Sequence, residues 1–325
     1  MILVFVECTT DSVNDVSAQA LTFARDLLVR EGSPGVHAVV VGDLPAGALA
    51  ACADQGVSVV HRASHASLDR YAARAWAACV EQVARQIGAT IVLAAGTPRG
   101  NEVMAHVATR LDVAMAANAV AVASLSPVSV TRQMMGGSVL EDMALAGSPA
   151  VFTIAGHTKA AEPADVPAQT EVSELEPVIT GAELRGQATR LDARATGDTA
   201  HLSTARVVVG AGRGAGGPDG FGPCIELASL LGGSLGVSRV VTTLGWRPHS
   251  EQVGQTGTRI SPELYIPCGI SGAIQHWAGC ASSQQIMAVN TDPDAPMVTR
   301  ANYAVIGDMH EVVPAIVDAL RAQHH

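Results

Sequence analysis

With 325 residues the chain is long enough for two domains, each burying its own core. Hydrophobic residues make up 48% and charged ones 15%, which excludes a disordered chain, and an aromatic share of 3% leaves Ala, Val, Leu and Ile to fill the interior, as the buried parallel strands of an α/β protein require. The net charge of −10 and the lack of any Lys/Arg run argue against a nucleic-acid partner.

In chain order, Ile2–Val6 reads as a strand, and a helix is predicted from about Asp15 to Val29 with Val16, Ala20, Leu21, Ala24, Leu27 and Leu28 on one face. Val36–Val41 and Val57–Val60 are further strands. Leu68, Ala72, Ala75, Trp76, Cys79, Val80, Val83 and Ile87 recur at three- and four-residue steps, and Gly88 stands where a helix terminator belongs. Thr90–Ala94 follows as a strand and Gly100–Leu111 as a helix. Such alternation builds a parallel sheet with right-handed crossovers. From Ala119 to Leu175 the helical period is absent, and short strand pieces such as Val128–Arg132 and Val151–Ile154 lie between Gly and Pro turns.

Glu176 to Thr204 is polar and reads as a linker, so a first domain is expected over residues 1–190 and a second over 205–325. In the second domain the alternation returns. Ala205–Val209 is a strand and Cys224–Leu231 a helix closed by Gly232-Gly233. Ser234–Val237 and Leu264–Cys268 are strands, and Ala273–Ala278 is a helix. Gln285–Val289 and Tyr303–Ile306 are strands, and a last helix runs from about His310 to Leu320.

The six cysteines form no C-x-x-C pair and read as reduced thiols. Ile2–Val6 already forms a strand, leaving no room for a signal or transit peptide, and no apolar run reaches the roughly 18 residues of a membrane helix. A cytoplasmic chain is expected.

The carboxyl ends of the later strands carry Arg213, Ser238 with Arg239, Ser271-Gly272, Asn290 and Asp308. Parallel sheets bind ligands outside these ends, and this set of donors, cations and small residues without a metal-ligand cluster suits a large ligand with phosphates. Gly210-Ala-Gly-Arg-Gly-Ala215 matches G-x-G-x-x-A, the dinucleotide fingerprint. Gly216-Gly-Pro-Asp-Gly220 then forms a loop where a helix should start. Neither Glu226 nor Glu251 is placed to hold a ribose, so a glycine-rich turn fits better than an NAD site. In Leu264-Tyr-Ile-Pro-Cys-Gly-Ile-Ser-Gly-Ala-Ile-Gln-His276 a strand ends at a turn and a helix begins at once. Ser271 is expected to cap that helix, whose free N–H groups suit a pyrophosphate or an anionic ring. Ser271 is not in G-x-S-x-G, which removes a hydrolase elbow. His61 and His65 have i, i+4 spacing but lack a third metal ligand, Cys268 and Cys280 read as inert buried thiols, and Trp76, Trp246 and Trp277 as packing residues.

Arg213 in Ala-Gly-Arg-Gly, Ser238-Arg239, Val253-Gly-Gln-Thr-Gly257, Pro262-Glu-Leu-Tyr-Ile266, Gly269-Ile-Ser-Gly-Ala-Ile-Gln-His276, Asn290-Thr-Asp-Pro-Asp-Ala-Pro296 and Gly307-Asp308 together resemble the alpha subunits of electron-transfer flavoproteins. The order and spacing of these motifs hold from Arg213 to Asp308. The amino-terminal part is similar in architecture to that family's first domain. Ala211, Thr243, Pro267-Cys268 and Thr291 depart from the common pattern.

The resemblance implies two α/β domains, each with a mainly parallel sheet flanked by helices, the second a Rossmann-like FAD-binding domain. It implies an electron carrier rather than a substrate-converting enzyme, with FAD as cofactor and a beta subunit as heterodimer partner. Electrons would come from flavoprotein dehydrogenases of the acyl-CoA dehydrogenase type and pass to a quinone-linked or other acceptor. The implied FAD contacts are Arg213, Ser238, Arg239, Val253, Gly254, Gln255, Thr256, Ser271, Gly272, Ala273, Ile274, Gln275, His276, Asn290, Asp308 and Met309. Arg239 would lie over the isoalloxazine, Gln255 and Thr256 near its N5–O4 edge, and His276 at its N1–O2 edge, where reduction places negative charge. The rivals are an NAD(P)-dependent oxidoreductase and a nucleotide-binding module without redox chemistry. The latter has no use for Gln255, Thr256 and His276.

Overall fold

A computed structural model of the chain describes residues 1–31, 35–68, 70–135, 139–188 and 202–323. The chain divides into two units, residues 1–133 with 140–192, and residues 193–325 with 134–139.

In the first unit β1 (Ile2–Phe5), α1 (Asp15–Glu31), β2 (Val36–Val41), α2 (Ala46–Asp54), β3 (Val57–Ala63), α3 (Ala73–Gln86), β4 (Ile91–Ala95) and α4 (Pro98–Leu111) alternate, and all of them but α2 were expected from the sequence. They are followed by β5 (Met115–Leu125), β6 (Val128–Met134), β7 (Val139–Ala144), β8 (Ala150–Ile154) and β9 (Glu171–Leu175). All nine strands join one sheet in the order β7-β6-β5-β8-β4-β1-β2-β3-β9. The pairings from β5 through β8 to β9 are parallel, and β5 with β6 is antiparallel.

The two-residue strand period decides which core each side chain enters. Ile2 and Val4 face a core closed by Leu21, Ala24 and Leu27 of α1, while Leu3 and Phe5 face one closed by Val80 and Val83 of α3 and Val103 and Val107 of α4. Both faces are covered, so β1 is buried throughout and reads as a continuous apolar run. Helix α4 starts where the sequence provides a cap: Thr97 Oγ1 accepts from the Gly100 N–H at 2.8 Å, and Pro98 occupies the first turn.

Of the stretch read as a linker, residues 189–201 lie outside the described residues. The part before them is tied to the first unit. The Val178 N–H and carbonyl each bond the Gln82 side chain at 2.9 Å, and the Ala188 N–H donates to the Tyr71 carbonyl at 2.8 Å. The backbone of this segment is therefore satisfied by a side chain of α3 and by the chain before that helix, which low hydrophobicity does not reveal.

In the second unit the order is β10 (Val207–Ala211), α5 (Gly222–Leu230), β11 (Ser234–Val237), α6 (Arg239–Thr243), β12 (Leu264–Cys268), α7 (Ile274–Cys280), β13 (Gln285–Asn290), α8 (Pro296–Thr299), β14 (Tyr303–Ile306) and α9 (Met309–Gln323). The sheet runs β11-β10-β12-β13-β14, parallel throughout. Numbered within the unit this is 2-1-3-4-5, a doubly wound order whose direction of winding reverses between β10 and β12. Alternate residues again serve two cores. Val209 and Ile266 pack with Leu227, Val313 and Val317, whereas Val208 and Tyr265 pack with Val253, Ile286 and Met297.

Candidate functional site

The register of the second sheet brings its carboxyl ends level. Ala211 pairs with both Val237 and Cys268, Cys268 with Val289, and Asn290 with Ile306. The residues that follow these ends surround a cavity of about 670 Å³, within the usual range for a cofactor pocket. Every FAD contact implied by the resemblance lines it except Ile274, which is 68% exposed.

Arg213 lies in a single 3-10 turn after β10, and Arg239 opens α6 directly after β11. Both are exposed, and neither makes an ion pair among the described residues. Their charge is thus available to an anionic ligand. Glu251 is committed elsewhere, since Arg247 grips it with two bonds at 2.7 and 2.6 Å, and Glu226 pairs with Arg321. The end of β11, where an NAD site carries an acid for the ribose, holds Ser238 and a cation instead.

The Val253–Thr256 loop is held from three sides. The Val253 N–H donates to the Val237 carbonyl at 2.9 Å, and the Gln255 N–H to the Gln275 carbonyl at 2.7 Å. Gln252, buried beneath, accepts from Thr242 Oγ1 at 2.6 Å and donates to Thr256 Oγ1 at 3.0 Å. Sequence reasoning missed Gln252. Its position one residue before the Val-Gly-Gln-Thr motif was the available signal.

Ser271 does not cap α7. The helix begins at Ile274, its N-cap position is Ala273, and no side chain caps it. Gly272, at φ +79°, reverses the chain in between, and the Ser271 carbonyl accepts from the Met297 N–H at 3.1 Å. A Cβ at Gly272 would come within 2.5 Å of the Met297 nitrogen, so both its conformation and its space demand glycine. The N–H groups of Ser271, Gly272 and Ala273 donate to nothing among the described residues, which leaves a run of backbone donors along the cavity.

His276, the third residue of α7, is buried, and its Nε2 lies 2.8 Å from the Tyr265 hydroxyl. Burial pushes its pKa down to about 4, with the adjacent Val253 backbone offsetting part of the effect, so the ring is neutral at pH 7. Asn290 spends its amide on the turn: Nδ2 donates to the Ile270 carbonyl at 3.0 Å, and Oδ1 accepts from the Asp292 N–H at 3.1 Å. Asp308 accepts from the His310 N–H at 2.9 Å and so caps α9, while Met309 beside it is buried.

The remaining candidates lie elsewhere. His61 Nε2 meets His37 Nδ1 at 2.9 Å, and His65 Nδ1 accepts from the Ser67 N–H. No group of three or more His, Cys, Asp or Glu among the described residues could hold a metal. Cys268 and Cys280 are buried free thiols, with Cys280 pushed up to about 12 by burial. Trp76 packs edge-on against Phe5 and Tyr71, Trp246 against Phe221, and Trp277 lies under the Arg300 guanidinium.

The side chains around the cavity fit a large anionic, hydrogen-bonding ligand. Among the described residues Ser238 Oγ and His276 Nδ1 are buried without a hydrogen-bond partner, an arrangement that costs stability unless something in the cavity satisfies them. With two uncommitted arginines, free backbone donors and a switch point between β10 and β12, the second unit is of the doubly wound class that binds nucleotide cofactors. Comparison with known proteins identifies which. Residues 2–179 match the model of the electron transfer flavoprotein domain, and residues 201–281 that of the electron transfer flavoprotein FAD-binding domain. The electron transfer flavoprotein subunit alpha of Mycobacterium leprae is 33% identical over 328 residues, covering 99% of this chain and 98% of that protein. That of Thermoanaerobacterium thermosaccharolyticum is 29% identical over 323 residues (98% and 97%), and that of Paracoccus denitrificans 35% over 231 (70% and 72%). The chain belongs to the electron transfer flavoprotein family, among its alpha subunits, and its cofactor is FAD.

Proposed function

We propose that this chain is the alpha subunit of a heterodimeric electron-transfer flavoprotein, and that the cavity at the carboxyl ends of the second sheet holds its FAD. It pairs with a beta subunit, accepts electrons from flavoprotein dehydrogenases of the acyl-CoA dehydrogenase type and delivers them to a quinone-linked or other acceptor. It works in the cytoplasm, where six free thiols stay reduced. No helix among the described residues is long and apolar enough to cross a membrane.

The observation that carries this reading is the convergence on one cavity of five strand ends bearing two free cations and two unpartnered buried polar atoms. Bound there, FAD would supply reversible one- and two-electron chemistry. Arg213 and the free N–H groups of Ser271–Ala273 would hold its phosphates. Arg239, Gln255, Thr256 and His276 would hold the ring, and the buried floor of Val253 and Gly272 would exclude water from beneath it.

The test is direct. The chain co-expressed with its beta subunit should purify yellow with about one FAD on this chain, identified by chromatography after heat release. FMN, NAD or no nucleotide would overturn the proposal.

A further inference from the structure

Tyr265 is the residue in this region whose placement binding alone leaves unexplained. It sits on β12 at 0% exposure, and the chain makes space for its hydroxyl: a Cβ at Gly210, on the neighbouring strand, would come within 2.5 Å of the Tyr265 oxygen. That oxygen has one hydrogen-bond partner among the described residues, His276 Nε2 at 2.8 Å.

One proton arrangement satisfies the pair. Burial raises the phenol well above its ordinary pKa and lowers that of the imidazole, so both are neutral. If His276 carried its proton on Nε2 and donated it to the phenol, the Tyr265 proton would have no acceptor among the described residues, and a bare Nδ1 would be buried without a donor. Each fault leaves a buried polar group unsatisfied, which a protein interior penalises. If Tyr265 donates to Nε2, the phenol proton is used and the imidazole proton must lie on Nδ1. Nδ1 is the ring nitrogen that makes no hydrogen bond of good geometry among the described residues, on a residue that lines the cavity.

We propose that Tyr265 is a positioning residue that fixes His276 in the Nδ1–H tautomer, so that His276 presents a neutral donor to an acceptor edge of the ligand. The donor needs no proton from solvent and carries no charge to be neutralised near pH 7. It therefore favours the more electron-rich form of a bound ring without being lost as the pH rises. The part that concerns the ligand rests on the proposed FAD site. The tautomer itself does not.

Tyr265→Phe keeps the ring and its packing and removes only the donor. In the heterodimer labelled with ¹⁵N-histidine, the His276 signals of the wild type should be those of a protonated Nδ1 and a bare Nε2. In Tyr265→Phe both should move toward the averaged positions of mixed tautomers. The preference of the protein for reduced over oxidised flavin should fall about tenfold, a drop of about 59 mV in a one-electron potential. In a His276→Gln background the same change should shift the potential no further, because Tyr265 acts through His276. A wild-type His276 protonated on Nε2, or a tautomer unchanged in Tyr265→Phe, overturns the proposal. So does an equal shift of potential in both backgrounds, which would mark Tyr265 as merely structural. Absence of FAD from the wild type would count against the cofactor site, while the ¹⁵N signals still decide the tautomer.

Discussion

Arg239 and His276 meet the same cavity in opposite states, one a permanent cation reached by solvent and the other a buried imidazole held neutral. If Arg239 lies over the ring as proposed, its charge-assisted contact would be worth roughly 1.5–3 kcal/mol, and about 1.4 kcal/mol corresponds to roughly 59 mV for one electron. Arg239→Ala should therefore lower the first reduction potential by about 60–130 mV in a spectroelectrochemical titration, and Arg239→Lys should fall between the two. Equal potentials, with FAD still bound, would place Arg239 away from the ring. Burial also lowers His37 and His61, the latter to about 4 from an ordinary 6.5. Below pH 6.5 the unfolded chain binds protons that the folded chain refuses. The stability these histidines contribute is complete above that pH and is lost as pH falls toward 4, by up to about 1.4 kcal/mol per pH unit per proton. Glu7, raised by burial, works the other way, so the contrast with His61→Gln isolates the effect. Urea denaturation should show a shallower loss between pH 7 and pH 5 in His61→Gln than in the wild type. An identical slope would exclude His61.

Among the elements, those that carry the site were legible because strand and turn are encoded together. Ser234–Val237, Leu264–Cys268 and Tyr303–Ile306 begin and end as their apolar runs do, each closed by a small or polar residue. The residues missed or misassigned owe their roles to distant partners. Gln252 works through Thr242 and Thr256, and Ser271 is turned from α7 by Gly272, a conformation that local capping rules do not foresee. In the first unit, α2 is a run of small residues without an amphipathic stripe, and β9 (Glu-Val-Ser-Glu-Leu) is too polar to read as a strand until β3 pairs with it. Gly272→Ala would force a side chain into a left-handed turn against Met297, at a cost of roughly 1–3 kcal/mol. The thermal midpoint and the retention of FAD should both fall. A variant as stable and as yellow as the wild type would mean that the turn has other room.

Across the whole molecule, both units are doubly covered sheets, yet the comparisons assign the FAD-binding domain to the second. Its edge strand β14 leaves Tyr303, Val305 and Ile306 exposed. Sequence periodicity foresaw the alternation of both units. It did not foresee that the strands between Met115 and Leu175 extend the first sheet to nine, because a sheet grows by pairing and pairing leaves no local period. The central claim, that the second unit's cavity holds the FAD, is tested most directly by the FAD affinity of the heterodimer carrying Arg213→Glu with Arg239→Glu. Both arginines are exposed and free of ion pairs among the described residues, so the fold should survive while one negative charge meets the phosphates and the other the ring. Read by the quenching of flavin fluorescence, FAD should bind at least about tenfold more weakly, equivalent to roughly 1.4 kcal/mol. Arg259→Glu, exposed but outside the cavity, should change nothing. Unaltered affinity in the double variant would place the FAD elsewhere.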